Sequence, residues 1–98
     1  MQSVELVTFR TVSIDAARFV DVNAPLNDWL KRQPGFVARH LAEKDDGRWI
    51  DIVFWQSHEA ALAASQKLGE EMGQSEAIAA IDPTSIGISH ATVRLSFD

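Results

Sequence analysis

Residues 48–55, RWIDIVFW, leave this chain little freedom. β-branched and aromatic residues dominate them and neither Gly nor Pro interrupts, so they form a strand. Successive side chains of a strand point to opposite faces. Ile50, Ile52 and Phe54 share one side, and Trp49, Asp51, Val53 and Trp55 the other. Both sides are apolar apart from Asp51. The strand therefore needs a cover on each face, because an exposed apolar area beyond a few hundred Å² is rarely left wet.

The turn before it names its pairing partner. Lys44-Asp45-Asp46-Gly47 contains Asp-Gly, which supplies the positive φ of a hairpin. The other arm is Phe36–Glu43, FVARHLAE. A turn confined to Lys44, Asp45, Asp46 and Gly47 pairs Glu43 with Arg48, Leu41 with Ile50, His40 with Asp51, Ala38 with Val53 and Phe36 with Trp55. In that register Val37, Leu41, Ile50, Ile52 and Phe54 form the face that packs on helices. Phe36, Ala38, His40, Ala42, Trp49, Asp51, Val53 and Trp55 form the other.

The remaining elements fall around this hairpin. Residues 4–12, VELVTFRTV, read as a first strand. Ser13 and Asp15 offer N-cap oxygens. Ala16, Phe19, Val20, Asn23, Leu26 and Leu30 then recur at helical spacing, to about residue 33. Pro25 interrupts that pattern and clashes with the carbonyl of Asp21, which predicts a kink or a restart. Pro34-Gly35 ends the helix. Ser57 caps an Ala-rich helix that runs to about residue 72, with Gly73 as its stop, and Ser75 caps a short helix over 76–81 that Asp82-Pro83 closes. Residues 86–97, IGISHATVRLSF, make a long last strand. It is expected to turn Ala91, Val93, Leu95 and Phe97 to the helices and Ile86, Ile88, His90, Thr92 and Arg94 to the other face.

The order β-α-β-β-α-β, with right-handed split crossovers, gives an α+β fold with an antiparallel sheet in the order 4-1-3-2 and its helices on one face. The face opposite carries Phe36, Trp49 and Trp55 and is bare. A second copy laid against it would bury both patches, so the chain is expected to be a homodimer.

Charge and composition narrow the partners. The 98 residues suit one domain spanning 1–98, small enough for oligomerisation to be a useful supplement. The net charge is −5 and the nine Lys and Arg are scattered, so a phosphate backbone finds no basic patch and nucleic acid is not an expected partner. No apolar run approaches the roughly 20 residues that cross a bilayer. The N-terminal Met-Gln-Ser-Val-Glu shows no basic stretch before an apolar one, so no leader and a cytoplasmic location are expected. With no cysteine, disulfides, thiolate metal sites and cysteine nucleophiles drop out.

Three segments together resemble a known family: Gln33-Pro34-Gly35-Phe36, the hairpin arm Asp46-Gly47-Arg48-Trp49-Ile50-Asp51-Ile52-Val53, and Trp55-Gln56-Ser57-His58-Glu59-Ala60. Their layout, over nearly the whole chain, is similar to the antibiotic biosynthesis monooxygenase-like group, which has a ferredoxin-like βαββαβ fold assembled as a dimeric α/β barrel. The resemblance implies a homodimer and a small-molecule pocket. It also implies cofactor-independent monooxygenase chemistry on an aromatic or otherwise apolar compound. Trp55 matches the tryptophan that closes the third strand, implicated in substrate binding in some members. Haem-degrading members carry an Asn on the first strand and a His on the second helix. Here the first strand has no Asn, and Ser65, Gln66 and Lys67 occupy that stretch of helix.

The candidate site residues follow from the register. His40 and Asp51, as cross-strand neighbours, are the expected catalytic pair, with Asp51 orienting His40 and His40 moving a proton. The plainer reading is a buried polar pair that satisfies itself. Trp49, Trp55 and Phe36 are expected to bind substrate, or else to fill an interface. His90 and Arg94 join them as substrate contacts, and the plainer reading of Arg94 is a pair with an acid across the dimer. A two-His, one-carboxylate metal site of His40, Asp51 and His90 is not expected, because strand four lies two strands from strand three. No metal and no bound cofactor are assigned. A non-catalytic ligand-binding or accessory homodimer, and an isomerase or lyase on the same scaffold, are the alternatives.

Overall fold

The computed structural model describes residues 1–98. The chain runs β1 (Ser3–Phe9), α1 (Ala16–Val22), α2 (Ala24–Lys31), β2 (Phe36–Glu43), β3 (Trp49–Trp55), α3 (His58–Met72), α4 (Glu76–Ala79), a 3₁₀ turn (Pro83–Ser85) and β4 (Gly87–Thr92). The sheet is antiparallel in the order β2-β3-β1-β4, as expected, and the helices cover one of its faces. No helix is long and apolar enough to cross a membrane.

Local chemistry explains the helix boundaries. Asp15 accepts from the amide of Arg18 and starts α1, while Ser13, the other expected cap, adopts φ +52 in the connection. Pro25 restarts the helix rather than kinking it. It lies in the first turn of α2, where its missing N–H leaves no bond unmade, and Asn23 is the joint between the two helices. Ser57 accepts from the amide of Ala60 and Ser75 from that of Ile78, each opening its helix as anticipated. Gly35, at φ +84, serves a close approach: a Cβ there would lie 2.6 Å from the Cβ of Ala60, so only glycine lets the chain pass beneath α3.

The hairpin departs from the expected register. Glu43 pairs with Trp49, Ala42 with Ile50, Leu41 with Asp51, His40 with Ile52, Arg39 with Val53 and Ala38 with Phe54. The turn therefore takes in Arg48 as well, closed by a hydrogen bond from the amide of Lys44 to the carbonyl of Arg48 at 2.7 Å. An irregularity between Phe36 and Ala38 absorbs the offset, so the expected pairing of Phe36 with Trp55 still holds.

A shift of one residue exchanges the faces of a strand. Trp49 and Trp55, expected on the bare face, lie under the helices and are 4% and 1% exposed. Ile50, Ile52 and Phe54, expected under the helices, are half-buried on the open face beside Val4 and Leu6 of β1. Strand four is inverted in the same way and is shorter than expected. Ile88, His90 and Thr92 pair with the helix-facing Val7, Glu5 and Ser3, and Gly87, Ser89 and Ala91 face outward. Leu95 and Phe97 lie beyond the strand, 84% and 95% exposed.

The core fills the gap between sheet and helices. Phe9 and Phe19 meet edge to face at 5.8 Å between ring centroids, and Phe19 tilts against Trp49 at 4.9 Å. Phe36 stands edge-on to Trp55 at 5.8 Å. Trp29 joins them from α2 and donates its indole N–H to Glu71 of α3 at 2.9 Å, which ties the two helices together.

Candidate functional site

The same sheet–helix gap holds an apolar cavity of about 300 Å³. Its floor is the helix-facing side of the sheet: Glu5, Val7 and Phe9 of β1, Asp51 and Val53 of β3, Arg39 of β2 and Ile88 of β4. Phe19, Asn23, Leu26 and Leu30 close it from α1 and α2, and Ser65, Leu68, Ala77 and Ile78 from α3 and α4. Pro83, Ile86 and Ile88, which also line it, are exposed, so its mouth opens on the β4 side. A volume near 300 Å³ is at the lower end of pockets that hold small organic ligands.

Two polar groups interrupt the apolar lining. The first is built on Arg39, whose side chain is 8% exposed. Its Nε donates to Asp51 Oδ1 at 3.0 Å and Oδ2 at 3.2 Å, and its Nη2 to Oδ2 at 2.7 Å. Nη2 also donates to Asn23 Oδ1 at 2.9 Å, and Nη1 to Asn27 Oδ1 at 2.7 Å. Asn23 is held in turn by its own bond to the carbonyl of Phe19 at 2.7 Å. A guanidinium presents five donors in a fixed plane, and here a carboxylate and two amides take most of them. Both oxygens of Asp51 are thereby engaged.

The second group stands on β1 and β4. Glu5 and His90 are directly opposite in the sheet, and the His90 Nε2 lies 3.1 Å from Glu5 Oε2. Ser65 of α3 donates its hydroxyl to the same oxygen at 3.3 Å. The His58 ring packs edge-on to the His90 ring, 5.1 Å between centroids. Glu5 and Ser65 line the cavity, and His90 stands behind Glu5 with a quarter of its side chain exposed.

The structure separates the residues singled out from the sequence. His40 and Asp51 are not neighbours. His40 is opposite Ile52 and exposed on the open face, with its ring 6.3 Å from that of Phe54, while Asp51 is under the helices on Arg39. The physical reason is the longer turn, which moves β3 by one residue against β2. With His40 on one face and Asp51 and His90 on the other, the two-His, one-carboxylate group is not assembled either. Of the seven expected site residues only Asp51 lines the cavity. Trp49 backs it through Phe19, Trp55 and Phe36 pack on each other farther along the core, and Arg94 is exposed beyond the end of β4.

Sequence reasoning passed over Arg39 and Glu5. A signal for Arg39 was present: it falls between Val37 and Leu41 on the face assigned to the helices, and an arginine among core positions needs a carboxylate or a ligand. Asp51, the one acid within β3, was available to answer it. Glu5 sits in the same way between Ser3 and Val7, on the helix-facing side of β1.

No protein-family sequence model matches the chain, and no curated protein sequence does. Solved structures do. SnoaB, a cofactor-independent oxygenase from Streptomyces nogalater, is 26% identical, with a TM-score of 0.72 over 98% of this chain and 97% of that one. MhuD from Mycobacterium tuberculosis, a heme-degrader solved with two hemes in its active site, is 16% identical, with a TM-score of 0.76 over 98% and 99%. A protein from Bordetella bronchiseptica assigned to the antibiotic biosynthesis monooxygenases is 15% identical, with a TM-score of 0.71 over 96% and 98%. At these lower identities the last two show a shared fold alone.

Proposed function

We propose that this chain, similar in fold to antibiotic biosynthesis monooxygenase-like proteins, is a small oxygenase that oxidises an aromatic or apolar compound without a bound cofactor. The observation that carries the reading is the cavity: apolar walls, a volume suited to a small aromatic molecule, and ionisable side chains set into its floor. Likeness to a cofactor-independent oxygenase supports the reaction type.

The chemistry asks for a substrate with an acidic C–H bond. Removal of that proton leaves the electron pair on carbon, and the resulting carbanion is electron-rich enough to reduce dioxygen and combine with it. Protonation of the terminal oxygen gives a hydroperoxide. Loss of water, as the second C–H bond breaks, leaves a C=O group. One oxygen atom ends in the product and the other in water, which also takes both hydrogens. The protein's part is to hold the ring system in a dry site and to handle protons. Arg39, fixed by Asp51 and the two asparagines, presents a positive charge at the cavity wall, where an enolate oxygen would be stabilised. Asp51 serves by holding Arg39, and Trp49 supports the ring wall through Phe19.

The open sheet face supports a homodimer. Val4, Leu6, Ile50, Ile52 and Phe54 make a continuous apolar surface, bordered by Ala38, His40 and Ala42, and a second copy of the same surface would cover it. In that arrangement His40 belongs to the interface.

Leu68 is half-buried on the cavity wall. A Leu68→Trp change should fill the space while the fold remains. With anthrone as the probe, the wild-type protein should bind by calorimetry and consume oxygen, and Leu68→Trp should lose at least about tenfold in affinity. Equal binding by both proteins would put the ligand elsewhere and defeat the assignment.

A second reading rests on Arg39, held by Asp51, Asn23 and Asn27 with its charge at the cavity wall, which suits a ligand anchor: a non-catalytic binding homodimer. Binding of the probe with no oxygen uptake favours it. Conversion of the probe without oxygen consumption would indicate an isomerase or lyase.

A further inference from the structure

We propose that Glu5 is the base that takes the substrate proton, and that His90 is a positioning residue that carries this proton between Glu5 and solvent. The inference rests on the cavity being the substrate site.

Two carboxylates line the cavity, and only one is free to act. Asp51 gives both oxygens to Arg39. On Glu5, both protein contacts fall on Oε2, from Ser65 and His90, which leaves Oε1 for a molecule in the cavity. Glu5 is opposite Val53 on β3, so Asp51 is its diagonal neighbour, roughly 7–8 Å away by strand geometry. An aromatic molecule on this floor would have Arg39 and Asp51 at one edge and the free oxygen of Glu5 at another.

His90 gives that base an outlet. Its Nε2 faces Glu5, while part of the ring reaches solvent. The groups facing the pair are Ser65 and His58 from α3 and, diagonally, Asp51 from β3. In the step, the substrate C–H bond breaks, its electrons stay on carbon and its proton bonds to Glu5 Oε1. The carboxyl group then turns to bring that proton to His90, whose Nε2 takes it when it carries none of its own, and the ring gives up its Nδ1 proton to water. The reverse path returns it to the peroxide oxygen. No oxidant enters this step, so it can be followed without oxygen.

The test is hydrogen–deuterium exchange of the anthrone methylene, followed by proton NMR in deuterated buffer under nitrogen, alongside calorimetric binding of the same probe. Wild-type protein should catalyse the exchange. Glu5→Gln, which keeps the side-chain shape and an acceptor for Ser65, should bind anthrone within about twofold and lose about 100-fold in exchange rate. His90→Ala should slow exchange about tenfold and shift its pH profile, with added imidazole restoring most of the rate, which a purely structural role for His90 would not allow. If wild-type protein fails to bind anthrone, the cavity reading falls and the base with it. If wild-type binds but Glu5→Gln exchanges as fast, or wild-type does not exchange at all, the base assignment falls and the cavity stands. Loss in His90→Ala without imidazole rescue removes the relay.

Discussion

Arg39 grips Asp51 with two nitrogens, Nε at 3.0 Å from one oxygen and Nη2 at 2.7 Å from the other, across neighbouring strands and beneath the helices. The pair lies diagonally, since Arg39 is opposite Val53 and Asp51 opposite Leu41. A buried ion pair adds little when compared with well-packed apolar residues, but removal of one partner leaves the other charge stranded. Arg39→Ala should therefore destabilise the fold by about 3 kcal/mol in urea unfolding. The double change Arg39→Met with Asp51→Leu should recover most of that. A single change as mild as the double one would mean that the charges are solvated in solution.

That pair also shows why much of the site could not be read from the sequence. Strand identity, sheet order and all three side-chain caps on the long and short helices follow from local chemistry: Ser57, Ser75 and Asp15 beside the free amides, and Pro25 where a helix restarts. The faces of β3 do not. Ile50, Ile52 and Phe54 are as apolar as Trp49, Val53 and Trp55, so alternation marks two equally good inner faces. The choice between them rests on whether Arg48 belongs to the turn or to the strand. One residue decides it, and an irregularity at Val37 hides the difference by keeping Phe36 opposite Trp55. Asp51 taken alone suggests the open face, and only with Arg39 as its partner does the covered face become the better place for it.

Gly35 is a second point of tight constraint. At φ +84 an alanine would be strained, and its Cβ would come within 2.6 Å of the Ala60 Cβ. Gly35→Ala should lower stability by about 2–3 kcal/mol, from backbone strain and overpacking together. Ala60→Gly in the same chain removes the collision but not the strain, so the double variant should regain part of the loss and remain about 1 kcal/mol below wild type after correction for the helical glycine. Full recovery would show that backbone conformation contributes nothing here.

Asp82 sets a weak pH dependence. Hydrogen bonds from the Thr84 hydroxyl at 2.7 Å and amide at 3.0 Å hold its carboxyl below the ordinary carboxylate value of 3.8. A carboxylate with a lowered folded-state pKa contributes stability above its unfolded value and loses it as pH falls through the folded value. Asp82→Asn should therefore flatten the stability curve slightly on the acid side, below about pH 4, and shift it uniformly above that. A variant curve parallel to wild type from neutral pH into acid would show that the contact is absent in solution.

The open sheet face makes the last prediction. Ile52 sits in the middle of that face, opposite His40 on β2 and Leu6 on β1, with Ile50 and Phe54 beside it on its own strand. If a second copy covers the surface, the wild-type protein should sediment at micromolar concentration as twice the 10.9 kDa chain. Ile52→Asp would place a carboxylate where two sheets meet, with the His40 ring opposite it and the apolar side chains of Val4, Leu6, Ile50 and Phe54 around them. Even beside an imidazole, a carboxylate loses its hydration there, and that cost is enough to split an interface of ordinary size. The variant should sediment as a monomer with its far-ultraviolet circular dichroism intact, because the side chain lies outside the sheet–helix core. A wild-type monomer would remove the dimer, and an Ile52→Asp dimer would move the interface to another surface.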